Sequence, residues 1–211
     1  VLVIDNLLLD TAWLCQHAQQ ADFSGQADNY YPGIRAATPL LYQAAIRQAL
    51  FPLLHNVFAP KASELRMLMS AYSIATTKTS ELRPIQMLPH FDTVEPHQLA
   101  MVHYLCDGRH GGTAFYRHRY SGFERLSAER LQSYGPVLKQ QAMAARLHES
   151  PRYMHGSSAL FQQIGEVEAC FNRAVIYPGN LLHSGNIREL SAAAADPAQG
   201  RLTISSFLQL F

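Results

Sequence analysis

The sequence carries almost no net charge. Seventeen Lys and Arg against sixteen Asp and Glu leave +1 over 211 residues. Without a basic surplus there is nothing to hold a phosphate backbone, so nucleic acid is not an expected partner. Cysteine is scarce too. Cys15, Cys106 and Cys170 lie far apart and are odd in number. They form neither a zinc spacing nor a disulfide framework, which fits a reducing cytoplasm. No apolar run reaches the length of a membrane span, so no membrane partner is expected. Val1–Ile4 is apolar, but Asp5, Asn6 and Asp10 follow and no basic region precedes, so no signal peptide is expected. Internal repeats and low-complexity linkers are absent. What remains is 48% hydrophobic and only 16% charged, a chain able to bury a large core without staples.

Histidine stands out against this background. There are ten, and five of them (His90, His97, His103, His110 and His118) crowd into one stretch.

The pattern along the chain divides in two. Val1–Ile4 reads as a short strand. Asp10 can accept from the free N–H groups of a first helix over Thr11–Gln20. Asp22–Pro32 is polar and reads as a loop. Thr38-Pro39 supplies an N-cap and a proline at the first helical position. Tyr42, Ile46, Ala49, Leu50 and Leu53 then recur at helical spacing, and Pro52 is expected to kink or end that helix. After Pro60 strands dominate: Leu65–Thr77, Ile85–His90, His97–Cys106, Thr113–Arg119, Ala159–Val167, Cys170–Tyr177, a short piece around Leu181–His183, and Leu202–Leu210. Ser127–Leu147 reads as helix, broken near Gly135-Pro136. The Ala-rich stretch Ser191–Gly200 reads as a loop. About eight strands with one helical insertion predict an α+β, mainly β fold: a double-stranded jelly roll with helices packed outside. Residues 1–211 read as one domain, with a mainly helical support over 1–60 and a jelly-roll core over 61–211 interrupted by helix at 127–149.

His90-Phe-Asp92 is the first chemical candidate. Two residues apart on extended chain, both side chains point the same way. Pro89 before and Pro96 after place them where a strand leaves a sheet. His183, after the Pro178-Gly179 turn, can return to the same mouth. Two imidazoles and one carboxylate on one face of a metal leave the opposite positions open, as non-heme Fe(II) oxygenases require. Alone, an H-x-D pair is common and a histidine near a sheet end is usually structural. Order and context strengthen the reading. Arg201 opens the last strand and could grip a carboxylate bidentately, or could be a surface residue. Thr203 shares its strand face and could add a hydroxyl to the same carboxylate.

These stretches resemble the iron(II)/2-oxoglutarate-dependent oxygenases, most closely their prolyl-hydroxylase-like branch. The resemblance rests on His90-Phe-Asp92, Val102–Asp107, Gly111–Phe115, Phe171–Tyr177, His183 and Gly200–Ile204, which occur in the family's order and cover the chain from Leu65 onward. Val3–Leu7 is similar to the branch's first strand. Within the branch, the whole chain is similar to a group of uncharacterised bacterial proteins. The resemblance implies that His90, Asp92 and His183 bind Fe(II). Arg201 would pair with the far carboxylate of 2-oxoglutarate. Tyr104 either hydrogen-bonds that carboxylate or is an ordinary core tyrosine. Oxidation by O2 would then yield succinate, CO2 and a hydroxylated product. Asp92 fills the place that halogenating relatives leave for chloride, which favours hydroxylation. The interval from His183 to Arg201 is longer than in many relatives. If Ser191–Gly200 is not an insertion, Arg188 becomes the rival anchor.

The substrate is expected to be an amino acid, a peptide or another small polar molecule. The loop Asn29–Arg35 could cover the mouth and pair with an anionic substrate through Arg35, or pack on the barrel by its tyrosines, which is preferred. Phe115–Tyr120 places Tyr116, His118 and Tyr120 on one face and Arg117 and Arg119 on the other, either a binding rim or a solvated strand. His97, His103, His110 and His118 lack ligand spacing and read as structural or rim residues. Gly111 and Gly112 read as a close-packed strand entry, and Asn172 and Arg173 as a turn. Two other functions stay open: a metal-binding jelly roll without turnover, and a cupin-type metalloenzyme without 2-oxoglutarate. Compact size and near-neutral charge point to a homodimer.

Overall fold

Side chains alternate across a strand, so a sheet buried on both faces needs apolar residues at successive positions. Several strands of this chain meet that demand. The computed structural model describes residues 1–25, 30–188, 190 and 192–211. Its elements are β1 (Leu2–Ile4), α1 (Ala12–Gln20), β2 (Gly33–Ala37), α2 (Leu40–Phe58), β3 (Leu65–Ala75), β4 (Gln98–Tyr104), β5 (Thr113–His118), α3 (Ala128–Ala144), β6 (Phe161–Val167), β7 (Arg173–Pro178), β8 (His183–Gly185) and β9 (Leu202–Leu210). A six-stranded sheet runs β1-β7-β4-β9-β3-β2, and a three-stranded sheet runs β6-β5-β8. Every pairing is antiparallel. The fold is α+β and mainly β.

One face of the large sheet carries Tyr72, Ile74, Leu99, Met101, Ile176, Ile204 and Leu208 against Leu14 and Ala18 of α1 and Tyr42, Ile46, Leu50 and Leu54 of α2. Polar groups in this layer are satisfied. The Tyr72 hydroxyl donates to Leu14 O at 2.9 Å, and buried His103 lies between the Tyr42 hydroxyl (3.2 Å) and Asn172 Oδ1 (3.1 Å). The other face carries Ala100, Tyr104, Val175, Tyr177 and Phe207, which meet Phe115 and Leu181 of the opposing layer. Function therefore has to be sought between the sheets.

Several expectations need correction. α2 does not end at Pro52. The ring is exposed. Burial of Ile46, Leu50 and Leu54, at roughly 1.5–3 kcal/mol each, outweighs the roughly 3 kcal/mol cost of an interior proline. α3 likewise continues through Gly135-Pro136, with Tyr134 buried against His118 and Gln141 Oε1 2.8 Å from His118 Nε2. Thr38 does not cap α2. Its hydroxyl is spent on Ser70, 2.9 Å from Oγ, and Pro39 takes the cap position. Ile85–His90 is no strand. Pro84 starts a 3-10 turn to Met87, because proline fixes φ and lacks an N–H. Among the described residues, seven strands, not eight, therefore follow from Leu65 onward. The short piece at Leu181–His183 is shifted to His183–Gly185. β2 lies where the aromatic loop was placed, so Arg35 sits in a strand and not on a free loop. Asn29 of that loop and Ser191 of the Ala-rich one lie outside the described residues. Among the described residues, no helix is long and apolar enough to cross a membrane.

Candidate metal centre

The first ligand pair is set by backbone. His90 and His183 form an isolated antiparallel bridge, each N–H donating to the other's carbonyl at 2.8 Å. This adds His90 to the edge of the small sheet beside β8. The Asp92 N–H donates to Gly179 O at 2.7 Å, so the Pro178-Gly179 turn fixes the carboxylate beside them. One strand, one bridging residue and one turn thus deliver three side chains to one point.

One ligand atom from each of His90, Asp92 and His183 lies within 4.8 Å of the others. His183 Nε2 is 3.6 Å from Asp92 Oδ2, and His90 Nε2 is 3.9 Å from Asp92 Oδ1. The imidazole centroids are 4.3 Å apart. Ligands at right angles on a metal, each bonded at about 2.1 Å, stand about 3 Å apart, so a small contraction would suffice. His183 Nδ1 donates to Leu181 O at 2.8 Å. That fixes the tautomer and leaves Nε2 as a lone-pair donor aimed at the carboxylate. Burial pushes His183 down to about 4, so it is neutral at pH 7. Crowding by the surrounding chain, then the neighbouring His183, lowers His90 too, although half of its side chain stays open to solvent.

Asp92 carries an unmet requirement. Burial raises its carboxyl, opposed by His90 and Arg35, and Oδ2 is buried with no hydrogen-bond partner. A buried carboxylate oxygen without a donor is costly unless a cation takes its place. The orphaned oxygen, the neutral imidazoles and the common focus fit a divalent metal.

Arg201 lies deeper. It is 5% exposed. Its Nε donates to Gly111 O at 3.3 Å and one terminal nitrogen to Gly112 O at 2.9 Å. Both glycines are required by close approach of neighbouring backbone. A Cβ on Gly111 would stand 1.7 Å from Asn186 O, and one on Gly112 1.9 Å from Val167 O. The same terminal nitrogen of Arg201 would stand 3.9 Å from a Cβ on Gly185. Gly185 is two residues beyond His183, so both face the same side of β8. Thr113 is the cross-strand partner of Gly185, and its hydroxyl is 2.6 Å from that of buried Tyr104. The Tyr104 ring lies 5.8 Å from the Arg201 guanidinium. Arg201, Tyr104 and Thr113 therefore gather at one end of β8 and the histidines at the other.

The other candidates separate cleanly. The Thr203 hydroxyl donates to Ser73 O at 3.2 Å, which commits the proton a carboxylate would need. Arg188 is exposed and Arg201 is buried. His103 and His118 are core residues, and His97 is exposed. Arg117 pairs with Glu124, and Arg119 donates to Ser158 O, so that strand face is no free rim. Asn172, at φ +63°, closes the turn before β7 and binds Leu8 through its side chain. Arg173 pairs with Asp5. Sequence reasoning missed Tyr177. Its buried ring is 4.7 Å from that of His183 and edge-on to Phe115 at 5.1 Å, walling the metal site on the large-sheet side. Two-residue alternation with Val175 was the signal available.

No curated protein matches the chain. A family model does match it, over residues 1–208, and on that ground the chain belongs to a family of unknown function, DUF6445.

Proposed function

We propose that residues 1–211 form one jelly-roll domain that acts as an Fe(II)- and 2-oxoglutarate-dependent oxygenase, hydroxylating an amino acid, a peptide or a small polar metabolite. The supporting observation is a spacing along one short strand. His183 carries a metal-ligand atom at its start, and Gly185 faces the buried Arg201 at its end. Two strand residues span about 7 Å, a distance a five-carbon dicarboxylate can bridge between a metal and a guanidinium.

Each residue then has a defined task. His90, Asp92 and His183 hold the metal and leave its remaining positions toward the space between the sheets. When bound, iron supplies the activation of O2, coupled to conversion of 2-oxoglutarate into succinate and CO2. Arg201 receives the far carboxylate as a charge-assisted pair. The Gly111 and Gly112 carbonyls hold the guanidinium in place before ligand arrives, so little ordering is left for the binding step. Tyr104 lines the same end, its hydroxyl tied to Thr113. Tyr177 and Phe115 keep water from one side of the metal.

The test is anaerobic titration of the purified chain with Fe(II) and 2-oxoglutarate. A visible charge-transfer band is expected in the wild type and absent in His183→Ala. Succinate should form on admission of O2. No metal-dependent binding of 2-oxoglutarate would overturn the proposal, and a band without succinate would favour a binding protein that turns nothing over.

A further inference from the structure

Arg35 is a second cation in the space between the sheets, partly buried. In β2 it pairs across to Ser73, Ser73 pairs with Thr203, and Thr203 pairs with Tyr104. Cross-strand partners share a face, so Arg35 belongs to the inner face with Tyr104. Its guanidinium lies 4.7 Å over the Tyr31 ring. Its Nε is buried with no hydrogen-bond partner, and among the described residues it forms no ion pair. Its charge acts on Asp92 and His90. Arg201 differs: two of its nitrogens are held by carbonyls at the far end of β8, and it is the group already assigned to 2-oxoglutarate. Of the two guanidinium groups, Arg35 is the one whose charge reaches Asp92 and His90.

Charge balance gives the next step. A divalent metal, Arg35 and Arg201 bring four positive charges, and Asp92 one negative. The dianion of 2-oxoglutarate cancels two more. One positive charge is left in a site that burial makes intolerant of unpaired charge. One further monoanion would neutralise it, and a phosphate dianion would overshoot. We propose that Arg35 binds the carboxylate of the substrate, which is therefore a monocarboxylic acid such as a free amino acid or an acyl amino acid. This rests on the oxygenase reading above. The planar fork of Arg35 suits a carboxylate, and its unpartnered Nε supplies one of two parallel donors. The open side of His90 gives the substrate its way in.

The experiment uses the intact chain with Fe(II) and saturating 2-oxoglutarate under anaerobic conditions. The probes are the free amino acids and their N-acetyl derivatives, each against its primary amide, read by their shift of the charge-transfer band. At least one acid should act at a concentration roughly ten-fold or more below its amide. Arg35→Gln should abolish that preference while 2-oxoglutarate half-saturation stays within about two-fold, and Arg201→Gln should weaken 2-oxoglutarate itself. Arg35→Lys, which keeps the charge, should recover part of the preference, and circular dichroism checks that each variant folds. Equal response to acids and amides, silence of the whole panel, or loss of 2-oxoglutarate binding in Arg35→Gln as deep as in Arg201→Gln would overturn the assignment. A wild type without the band sinks the oxygenase reading instead. The same pairs are then titrated calorimetrically on the Zn(II)-loaded chain, where an acid preference lost in Arg35→Gln supports the anion site and its absence overturns it.

Discussion

Asp92→Ala should make the metal-free protein more stable, an unusual outcome for a residue at a site. The wild-type carboxylate is largely buried, Oδ2 has no donor, and the flanking imidazole nitrogens stand at 3.6 and 3.9 Å, beyond hydrogen-bond reach. An unsatisfied buried polar group costs roughly 1–3 kcal/mol, more when charged. Alanine removes that cost and keeps the Asp92 N–H bond to Gly179 O, which is backbone. In a chain of this size each kcal/mol moves Tm by roughly 2–4 °C. The metal-free variant should therefore melt roughly 2–12 °C above the metal-free wild type at pH 7. Metal works against that order. At a free concentration 100 times Kd it stabilises the wild type by about 2.7 kcal/mol and the variant by far less. The sign with pH follows from burial, which raises the Asp92 carboxyl. The folded chain then holds the proton more tightly than the unfolded one, so the penalty is fully present above the folded pKa and fades as pH falls through it. Calorimetric melting with and without Mn(II) is the assay. A metal-free variant less stable than wild type, or an equal metal shift in both, would refute the reasoning.

Two further outcomes follow from the same geometry. His183 and His103 are both pushed down to about 4 by burial. The unfolded chain therefore takes up protons first, and stability of the metal-free protein should fall as pH drops from about 6.5 toward 4, with His103→Gln flattening the loss in a pH series of urea melts. Gly112→Ala should cost more than 2 kcal/mol by chemical denaturation, because its Cβ would stand 1.9 Å from Val167 O; a variant as stable as wild type would mean the strand entry can open.

Much of the fold was legible because its signals are local. β9 matches Leu202–Leu210 residue for residue, since Leu202, Ile204, Leu208 and Leu210 fall at two-residue spacing and form one buried face. The misplaced elements are those where tertiary contacts overrule local grammar. Pro52 and Pro136 look like helix stops, but a proline with its ring toward solvent costs less than the packing that the continued helix secures. β2 is short and follows Pro32-Gly33, so its composition signals a turn. It becomes a strand because β3, at eleven residues, has a free edge to pair with. Thr38 carries a cap signature and spends it on Ser70, which no local window contains.

The site divides along the same line. His90 and Asp92 are two residues apart, and strand geometry alone puts them on one face. His183 required only that a Pro-Gly turn bring its strand back, and the bridge to His90 is that return. Arg201 could be placed on the last strand but not beside Gly185, because that contact joins the two sheets. Arg35 could be named from the sequence as one reading of its loop, but not placed, for a definite reason. Its row runs through Ser73, Thr203 and Tyr104 of three separate strands, and its significance is an unmet requirement. Spacing reveals groups that a short segment brings together. A buried guanidinium nitrogen without an acceptor is visible only once every neighbour is in place.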